Sequence, residues 1–209
     1  MKLNENATIL FQGDSITDAN RNREDENDLG VGYAFFIAAI LNATYPRLKL
    51  RFINRGIGGN RVADLAERWD KDCLDIDFDV LSVLIGVNET WIRYDGDAVT
   101  TTEEYYKVYK DILTAAKTKR PNIKIVIMEP FVLPIDETKE KIYDDLDGLI
   151  KISRKLAAEF EAVYIPLDGL FAQASAIRMP AFWSDDGVHP SAAGHMLIAQ
   201  NWIKAVATD

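Results

Sequence analysis

The stretch GDSIT at residues 13–17 follows the apolar, β-prone run ATILF at residues 7–11, with one residue between them. An apolar strand that breaks at a glycine and continues into a small hydroxyl residue places Ser15 at the carboxyl end of a first strand. Ligands and catalytic groups of open α/β sheets collect at that end. The same pattern is also typical of a helix start with Ser15 as the cap. The choice depends on whether the rest of the chain supplies partners for a nucleophilic serine.

Strand and helix patterns alternate along the whole chain around this stretch. Four further β-rich runs end in polar or glycine-containing segments, and they lie at residues 48–53, 79–85, 123–128 and 162–167. Helical patterns separate or follow them, at residues 33–41, 62–73, 102–117, 137–160, 169–176 and 192–206. The run 79–85 is almost continuously apolar, as expected of a strand buried on both faces of a parallel sheet. This order predicts a three-layer α/β/α sandwich with a five-stranded, mainly parallel sheet.

The expected strand order is 2-1-3-4-5, the flavodoxin-like winding. Right-handed crossovers and a reversal after strand 2 bring the ends of strands 1, 2 and 3 to one crevice. The segments that follow these strands carry Ser15, Gly59 and Asn88. No composition break and no repeat of fixed period divides the chain, so residues 1–209 are expected to form a single domain.

Charge and composition argue against several classes of protein. The 24 Lys and Arg residues face 33 Asp and Glu residues, and a net charge of −9 disfavours nucleic acid and anionic membrane surfaces as partners. No apolar run approaches the roughly 18 residues of a membrane span. The single Cys73 cannot form an internal disulfide, and the amino terminus lacks the pattern of a signal peptide. We therefore expect a cytoplasmic protein.

A serine nucleophile needs a general base and an acid that orients the base. The chain has two histidines, and His189 lies in a polar loop, whereas His195 lies inside the last helical pattern. Loops at strand ends hold catalytic groups more often than helix interiors do, which favours His189. Asp186, three positions earlier, can fold back onto the imidazole, and Asp185 is the second choice for this role.

Hydrogen-bond donors for an oxyanion are expected after strands 2 and 3. Backbone at Gly58 and Gly59 can approach a substrate closely, and Asn88 offers a side-chain amide. Glycine pairs and asparagine are also ordinary turn residues. The glycine-rich segment lacks the third glycine of a dinucleotide fingerprint, and the carboxylates lack the clustered His or Cys of a transition-metal site. Neither a cofactor nor a metal is expected.

Four motifs together resemble the GDSL, or SGNH, hydrolase family. They are Gly13-Asp14-Ser15, Gly59 in its glycine-rich turn, Gly86-Val87-Asn88 and Asp186-Gly187-Val188-His189-Pro190. The resemblance implies the SGNH hydrolase fold, Ser15 as nucleophile, His189 as base, Asp186 as its orienting acid, and an oxyanion hole from the Ser15 and Gly59 amides and the Asn88 side chain. Glu89 departs from the family pattern, which has Asp there, and we expect it to alter a contact behind the site rather than the chemistry.

A narrower resemblance, carried by residues 14–18, 88–95 and 189–196, is to bacterial acetylxylan esterases. It implies an intracellular homo-oligomer that acts on acetylated xylo-oligosaccharides. Aromatic faces pack well against sugar rings, so Trp91, Tyr94 and Trp183, together with Asp14, are expected to contact substrate. Core or interface packing is the alternative for the aromatic residues.

Two other activities are compatible with these motifs. A lysophospholipase or acyl-thioesterase would need a longer apolar groove, and a sugar-binding protein would keep the fold without turnover. The charged run at residues 18–29 has no apolar period and is predicted to be a surface loop. Because it leaves the strand end beside Ser15, it is also a candidate border of the substrate pocket.

Overall fold

A five-stranded parallel sheet lies at the centre of the molecule. The computed structural model, which describes residues 3–90 and 100–207, contains β1 (Thr8–Gly13), β2 (Arg51–Asn54), β3 (Val80–Leu84), β4 (Lys124–Met128) and β5 (Val163–Ile165). Their order is 2-1-3-4-5 and every pairing is parallel, which confirms the predicted fold class. Every residue of β1 and of β3 is buried, as expected of central strands covered on both faces.

Helices form the layers on either side of this sheet. They are α1 (Ser15–Asp18), α2 (Tyr33–Thr44), α3 (Val62–Glu67), α4 (Thr102–Lys119), α5 (Glu137–Glu159), α6 (Leu167–Ile177), α7 (Pro180–Trp183) and α8 (Ala192–Val206), and residues 87–90 are also helical. Helix α2 packs against α8, while α3 packs against α4 and α4 against α5. Both groups bury apolar side chains against the sheet, and that burial is the main favourable term in folding.

Two element boundaries differ from the sequence prediction. Strand β2 begins at Arg51 rather than at residue 48, because Pro46–Leu48 form a 3₁₀ turn and Lys49 adopts a left-handed conformation with φ of 51°. The helix predicted over 62–73 ends at Glu67 and is followed by a π-helical turn at Asp70–Leu74. The break coincides with Arg68, whose guanidinium donates to backbone carbonyls at the ends of the first two strands.

The strand register brings three loops to one edge of the sheet. Phe11 pairs with Asn54, and Gly13 pairs with Leu84, so β1, β2 and β3 end side by side. Gly13 is required there, because a Cβ at this position would collide with Leu84 O and Thr17 Oγ1. The segments that follow these strands therefore converge, as the sequence predicted for Ser15, Gly59 and Asn88.

Candidate active site

Ser15 is the first residue of α1, and its hydroxyl is not used to cap the helix. Asp14 is the N-cap, and its Oδ1 accepts a hydrogen bond from the Ile16 amide at 3.0 Å. This differs from the sequence alternative in which Ser15 is the cap. The hydroxyl of Ser15 is directed instead at His189, with 2.8 Å between Ser15 Oγ and His189 Nε2.

His189 is held by Asp186 in the loop between α7 and α8. Asp186 Oδ2 lies 2.6 Å from His189 Nδ1, while its Oδ1 accepts the Val188 amide at 2.9 Å and the His189 amide at 2.7 Å. Ser184 donates to the same Oδ1 or to the His189 carbonyl, at 3.1 and 2.8 Å. One carboxylate thus fixes both the backbone of the loop and the ring of the histidine.

The electrostatics of this loop favour an ionised Asp186 and one tautomer of His189. Burial alone would raise the pKa of Asp186, but hydrogen bonds from the His189 side chain and from the His189 and Val188 amides lower it to about 2. An ionised Asp186 accepts the Nδ1 proton, which leaves His189 Nε2 free to accept the proton of Ser15. Asp185, the second choice for the orienting acid, is exposed and has no hydrogen bond to His189.

The second histidine, His195, differs from His189 in its exposure to solvent. His195 in α8 is buried, and its Nδ1 accepts the Tyr33 amide at 3.2 Å. Burial, with a smaller contribution from nearby His189, lowers the pKa of His195 to about 4. His195 is therefore neutral near pH 7. Because its Nδ1 already accepts the Tyr33 amide, we expect His195 to line the site rather than to act as a second base.

The glycine-rich turn after β2 lies beside the serine. A Cβ placed on Gly58 would lie 3.7 Å from the Ser15 Cβ, while one on Gly59, at φ of 80°, would meet no atom within 4 Å. Asn88 joins this group, because its Nδ2 donates to the Asn60 carbonyl at 3.0 Å. The second proton on that nitrogen is left for another acceptor. The assignment of Ser15, Gly59 and Asn88 to an oxyanion hole stays a prediction.

Asp18 and Arg21 hold this turn in place, a role that the sequence analysis missed. Asp18 Oδ2 accepts the Gly58 amide at 3.2 Å, and Arg21 Nε donates to the Gly56 carbonyl at 3.1 Å. Asn54 completes the framework, since its Oδ1 accepts the Gly56 amide at 2.9 Å. The sequence signal for this role is position, because Asp18 and Arg21 follow Ser15 closely at the carboxyl end of β1, where functional loops collect.

Glu89 also acts behind the site. It is buried, its Oε1 accepts the Val62 amide at the start of α3 at 2.6 Å, and its Oε2 accepts the Thr100 hydroxyl at 2.9 Å. Burial raises the pKa of Glu89 above its usual value, against these hydrogen bonds. Its contacts are with the Val62 amide and the Thr100 hydroxyl, and the expectation that Glu89 alters a supporting contact rather than the chemistry stays a prediction.

A cleft of about 870 Å³ opens at Ser15 and His189. Its walls come from the loop after β1, the turn after β2 and the start of α8, and they comprise Ser15, Ile16, Asp18, Ala19, Asn20, Arg21, Arg23, Val31, Gly58, His189, Pro190, Ala192 and His195. The charged run at residues 18–29 therefore borders the cleft. It is not uniformly solvated, because Asp18 and Arg21 are buried while residues 22–27 are exposed.

The other residues expected to contact substrate lie elsewhere or outside the described part. Asp14 is 1% exposed and is not among the residues that line the cleft, and its contact with substrate stays a prediction. Trp183 also lies outside the lining, and its Nε1 donates to the Arg178 carbonyl while its ring packs edge-on against Phe182. Trp91 and Tyr94 fall outside the described residues. Contact of substrate with these three aromatic side chains stays a prediction.

The described residues contain neither a metal-binding cluster nor a membrane-spanning helix. Across residues 3–90 and 100–207, no group of three or more His, Cys, Asp or Glu side chains is arranged to hold a metal ion. No helix in this part of the chain is long and apolar enough to cross a membrane.

Comparisons with known proteins agree with this geometry. Residues 11–197 match the GDSL-like Lipase/Acylhydrolase family. An acetylxylan esterase of Geobacillus stearothermophilus is 32% identical over 212 residues, which cover 99% of this chain and 96% of that protein. Its crystal structure has a TM-score of 0.90 at 31% identity, covering 98% of this chain and 96% of that one.

Other solved structures extend the likeness. A protein of Parabacteroides merdae described as GDSL-like has a TM-score of 0.92 at 38% identity, with 98% of each chain covered. Structures of the Geobacillus esterase include forms described as catalytic mutants, in which a serine, an aspartate or a histidine is replaced by alanine.

Proposed function

The chain belongs to the GDSL-like lipase/acylhydrolase family and is a carboxylic ester hydrolase, and on this premise we propose that it removes acetyl groups from carbohydrate esters. Acetylated xylo-oligosaccharides are the proposed substrates, by analogy with the Geobacillus stearothermophilus acetylxylan esterase. The continuous line of contacts from Ser15 Oγ through the His189 ring to the Asp186 carboxylate is the observation that carries a serine mechanism.

In the proposed first half-reaction, Ser15 Oγ attacks the ester carbonyl while His189 Nε2 takes the hydroxyl proton. Asp186 keeps the ring oriented and stabilises the imidazolium. The negative charge on the former carbonyl oxygen is received by the Ser15 and Gly59 amides and the Asn88 side chain. His189 then returns its proton to the sugar oxygen, the carbon–oxygen bond breaks, and the sugar alcohol leaves an acetyl group on Ser15.

In the second half-reaction, water takes the place of the sugar alcohol. His189 removes a proton from the water as it attacks the acetyl carbonyl, and the same donors receive the oxyanion. Proton return to Ser15 Oγ releases acetate. No cofactor or metal is part of this proposal.

One wall of the cleft favours a polar leaving group over a long acyl chain. Asp18, Arg21 and Arg23 lie along its wall, and burying a methylene chain against charged groups forfeits the gain of apolar burial. Its volume of about 870 Å³ lies within the range of small-molecule sites and leaves room for sugar rings beside an acetyl group. A lysophospholipase or thioesterase would require an apolar groove in place of this wall.

Acetate release from four substrates tests the proposal: acetylated xylo-oligosaccharides, acetylated sialic acid, cephalosporin C and a lysophospholipid, the last scored by fatty-acid release. We expect the first to be the preferred substrate and Ser15→Ala to be inactive on all four. Ser175→Ala is the matched control, because it removes a hydroxyl on α6 outside the site. A Ser15→Ala enzyme as active as wild type would refute the mechanism, and preference for octanoyl over acetyl p-nitrophenyl esters would refute the substrate class.

The proposal extends to the cellular context of the enzyme. We propose a cytoplasmic homo-oligomer without affinity for nucleic acid. The net charge of −9 supports the last point, because it opposes binding to a phosphate backbone. Light scattering of the purified protein tests the assembly, and a single-subunit mass at micromolar concentration would contradict it.

A further inference from the structure

Arg21 is a buried cation that no carboxylate neutralises directly. Its residue is 8% exposed, and it forms no ion pair with any residue in the ranges 3–90 and 100–207. Only its Nε is engaged, by the Gly56 carbonyl at 3.1 Å, and its two terminal nitrogens have no hydrogen-bond acceptor within those ranges. These two nitrogens retain solvent exposure, so the free edge of the guanidinium is available to a ligand in the cleft.

Arg23 adds a second cation to the same wall of the cleft. Its Nη2 binds Asp18 Oδ2, yet 53% of its side chain is exposed, and it lines the cleft together with Arg21. Asp18 is the single carboxylate among the described residues of this lining, and its oxygens already accept the Arg21 and Gly58 amides. The described part of this wall therefore carries two arginines and one aspartate, which give it a net positive charge. The chain as a whole has a net charge of −9.

The backbone that presents these arginines is strained. Ala19 and Asn20 are consecutive residues with φ of 44° and 61°, in the left-handed region that non-glycine residues seldom occupy. Such strain persists where the surrounding structure holds it in place, and it clusters at binding and catalytic sites. The turn reverses the chain directly after α1 and directs Arg21 back to the turn after β2.

The positive wall lies close to the serine. Arg23 Nη2 and the Gly58 amide bind the same oxygen of Asp18, and a Cβ on Gly58 would lie 3.7 Å from the Ser15 Cβ. Ser15, Arg21 and Arg23 line the same cleft, so an acetyl ester bound at Ser15 shares that cleft with the two arginines. A planar guanidinium edge matches a carboxylate, which it binds through two parallel hydrogen bonds.

We propose that Arg21 and Arg23 form a carboxylate subsite, and that the enzyme prefers acetylated sugars that carry a uronic acid beside the ester. This inference rests on the proposed carbohydrate deacetylation and narrows its substrate class. The carboxylate of the sugar accepts hydrogen bonds from the free edge of Arg21 and from Arg23, and completes the charge balance of the wall.

A matched pair of substrates tests the subsite. The pair is an acetylated methyl uronoside and its neutral uronamide, which share their shape and acetyl position and differ by one charge. For the wild-type enzyme we expect kcat/KM to be about tenfold higher for the acid, a difference of about 1.4 kcal/mol. This preference shrinks as salt is raised to about 0.5 M, because the Debye length falls well below 10 Å.

Variants assign the preference to this wall. Arg23→Gln should lower the ratio of acid to amide toward one, and Arg21→Lys should lower it while keeping a positive charge, because the two-pronged edge is lost. Arg47→Gln is the matched control: it removes the same charge from an exposed arginine in the turn before β2, and we expect it to keep the wild-type ratio.

The outcomes separate this inference from the proposed function. Equal rates on the acid and the amide, or a preference that survives both arginine variants, would overturn the subsite while leaving the deacetylase proposal intact. Failure to hydrolyse either sugar ester, with p-nitrophenyl acetate still cleaved, would overturn the proposed carbohydrate substrate and the subsite with it.

Discussion

Asp14→Asn separates the capping role of the Asp14 side chain from the energetic cost of burying its charge. Its Oδ1 caps α1 through the Ile16 amide, whereas its Oδ2 is buried without a hydrogen-bond partner in residues 3–90 and 100–207. Burial, partly offset by the Ile16 hydrogen bond and the nearby His189, raises the pKa of Asp14 to about 7. Asparagine keeps the capping oxygen but cannot ionise. The substitution therefore removes the cost of a buried charge and retains the cap.

The size and sign of the effect follow from the pKa difference between the folded and unfolded chain. The pKa is 3.8 when unfolded and about 7 when folded, so the native state keeps a proton that the unfolded state has lost. The contribution of Asp14 to wild-type stability is fully present below about pH 4, decreases between about pH 4 and 7, and is lost in full above about pH 7. Roughly three units at about 1.36 kcal/mol each correspond to about 4 kcal/mol.

Urea unfolding, monitored by tryptophan fluorescence at pH 4.5, 6, 7 and 8.5, measures this difference. We expect the free energy of unfolding of Asp14→Asn relative to wild type to rise by about 3 kcal/mol across this range, because about 1 kcal/mol of the full effect is already present at pH 4.5. Asp77→Asn, which alters a fully exposed carboxylate, is the control and should follow the wild-type pH profile. Parallel profiles for Asp14→Asn and wild type would refute the reasoning.

Three further substitutions test the catalytic site. Asn88→Ala removes the proposed oxyanion donor and should lower kcat about 100- to 1,000-fold with little change in KM; an unchanged kcat in steady-state assays would exclude that role. Asp186→Asn should lower kcat by about 10⁴ through loss of the His189 tautomer. Because the pKa of Asp186 is about 2, the wild-type profile of kcat/KM should show no loss from Asp186 protonation above about pH 3, and a loss that Asp186→Asn abolishes would contradict this. Asp18→Ala frees the Gly58 amide and should lower kcat while changing the melting temperature little, as measured by steady-state kinetics and melting curves. A kcat equal to that of wild type would show that Asp18 does not position the turn.

The sequence was sufficient to predict the fold and the positions of the catalytic candidates because both follow from short-range patterns. The fully buried runs of β1 and β3 are visible as continuous apolar segments, and parallel strands must end at one edge of the sheet. Ser15, Gly59 and Asn88 each follow one of these parallel strands, namely β1, β2 and β3 in turn. Asp186 and His189 are three positions apart in one loop, so their contact required only a local fold.

The supporting residues could not be predicted because their partners are distant in the chain. Asp18 binds an amide 40 residues away, and Arg21 binds a carbonyl 35 residues away. Both partners are backbone groups, which every residue carries, so no residue type marks them. A charged run with no apolar period indicates a loop, and only the tertiary structure distinguishes its buried members from its solvated ones.

Because Asp14 rather than Ser15 caps α1, the Ser15 hydroxyl is available for its proposed role as the nucleophile. A capping serine accepts a hydrogen bond from an amide in the first turn, which fixes the rotamer of its hydroxyl toward its own helix. Ser15 is one position later and leaves that role to Asp14, so its hydroxyl is free to lie 2.8 Å from His189 Nε2. A carboxylic acid at the cap has a cost, since burial of Asp14 destabilises its ionised form. The order of Asp and Ser in the opening motif therefore matters: exchanging the two residues would keep a cap and a hydroxyl in the sequence but remove the hydroxyl from the reach of the base.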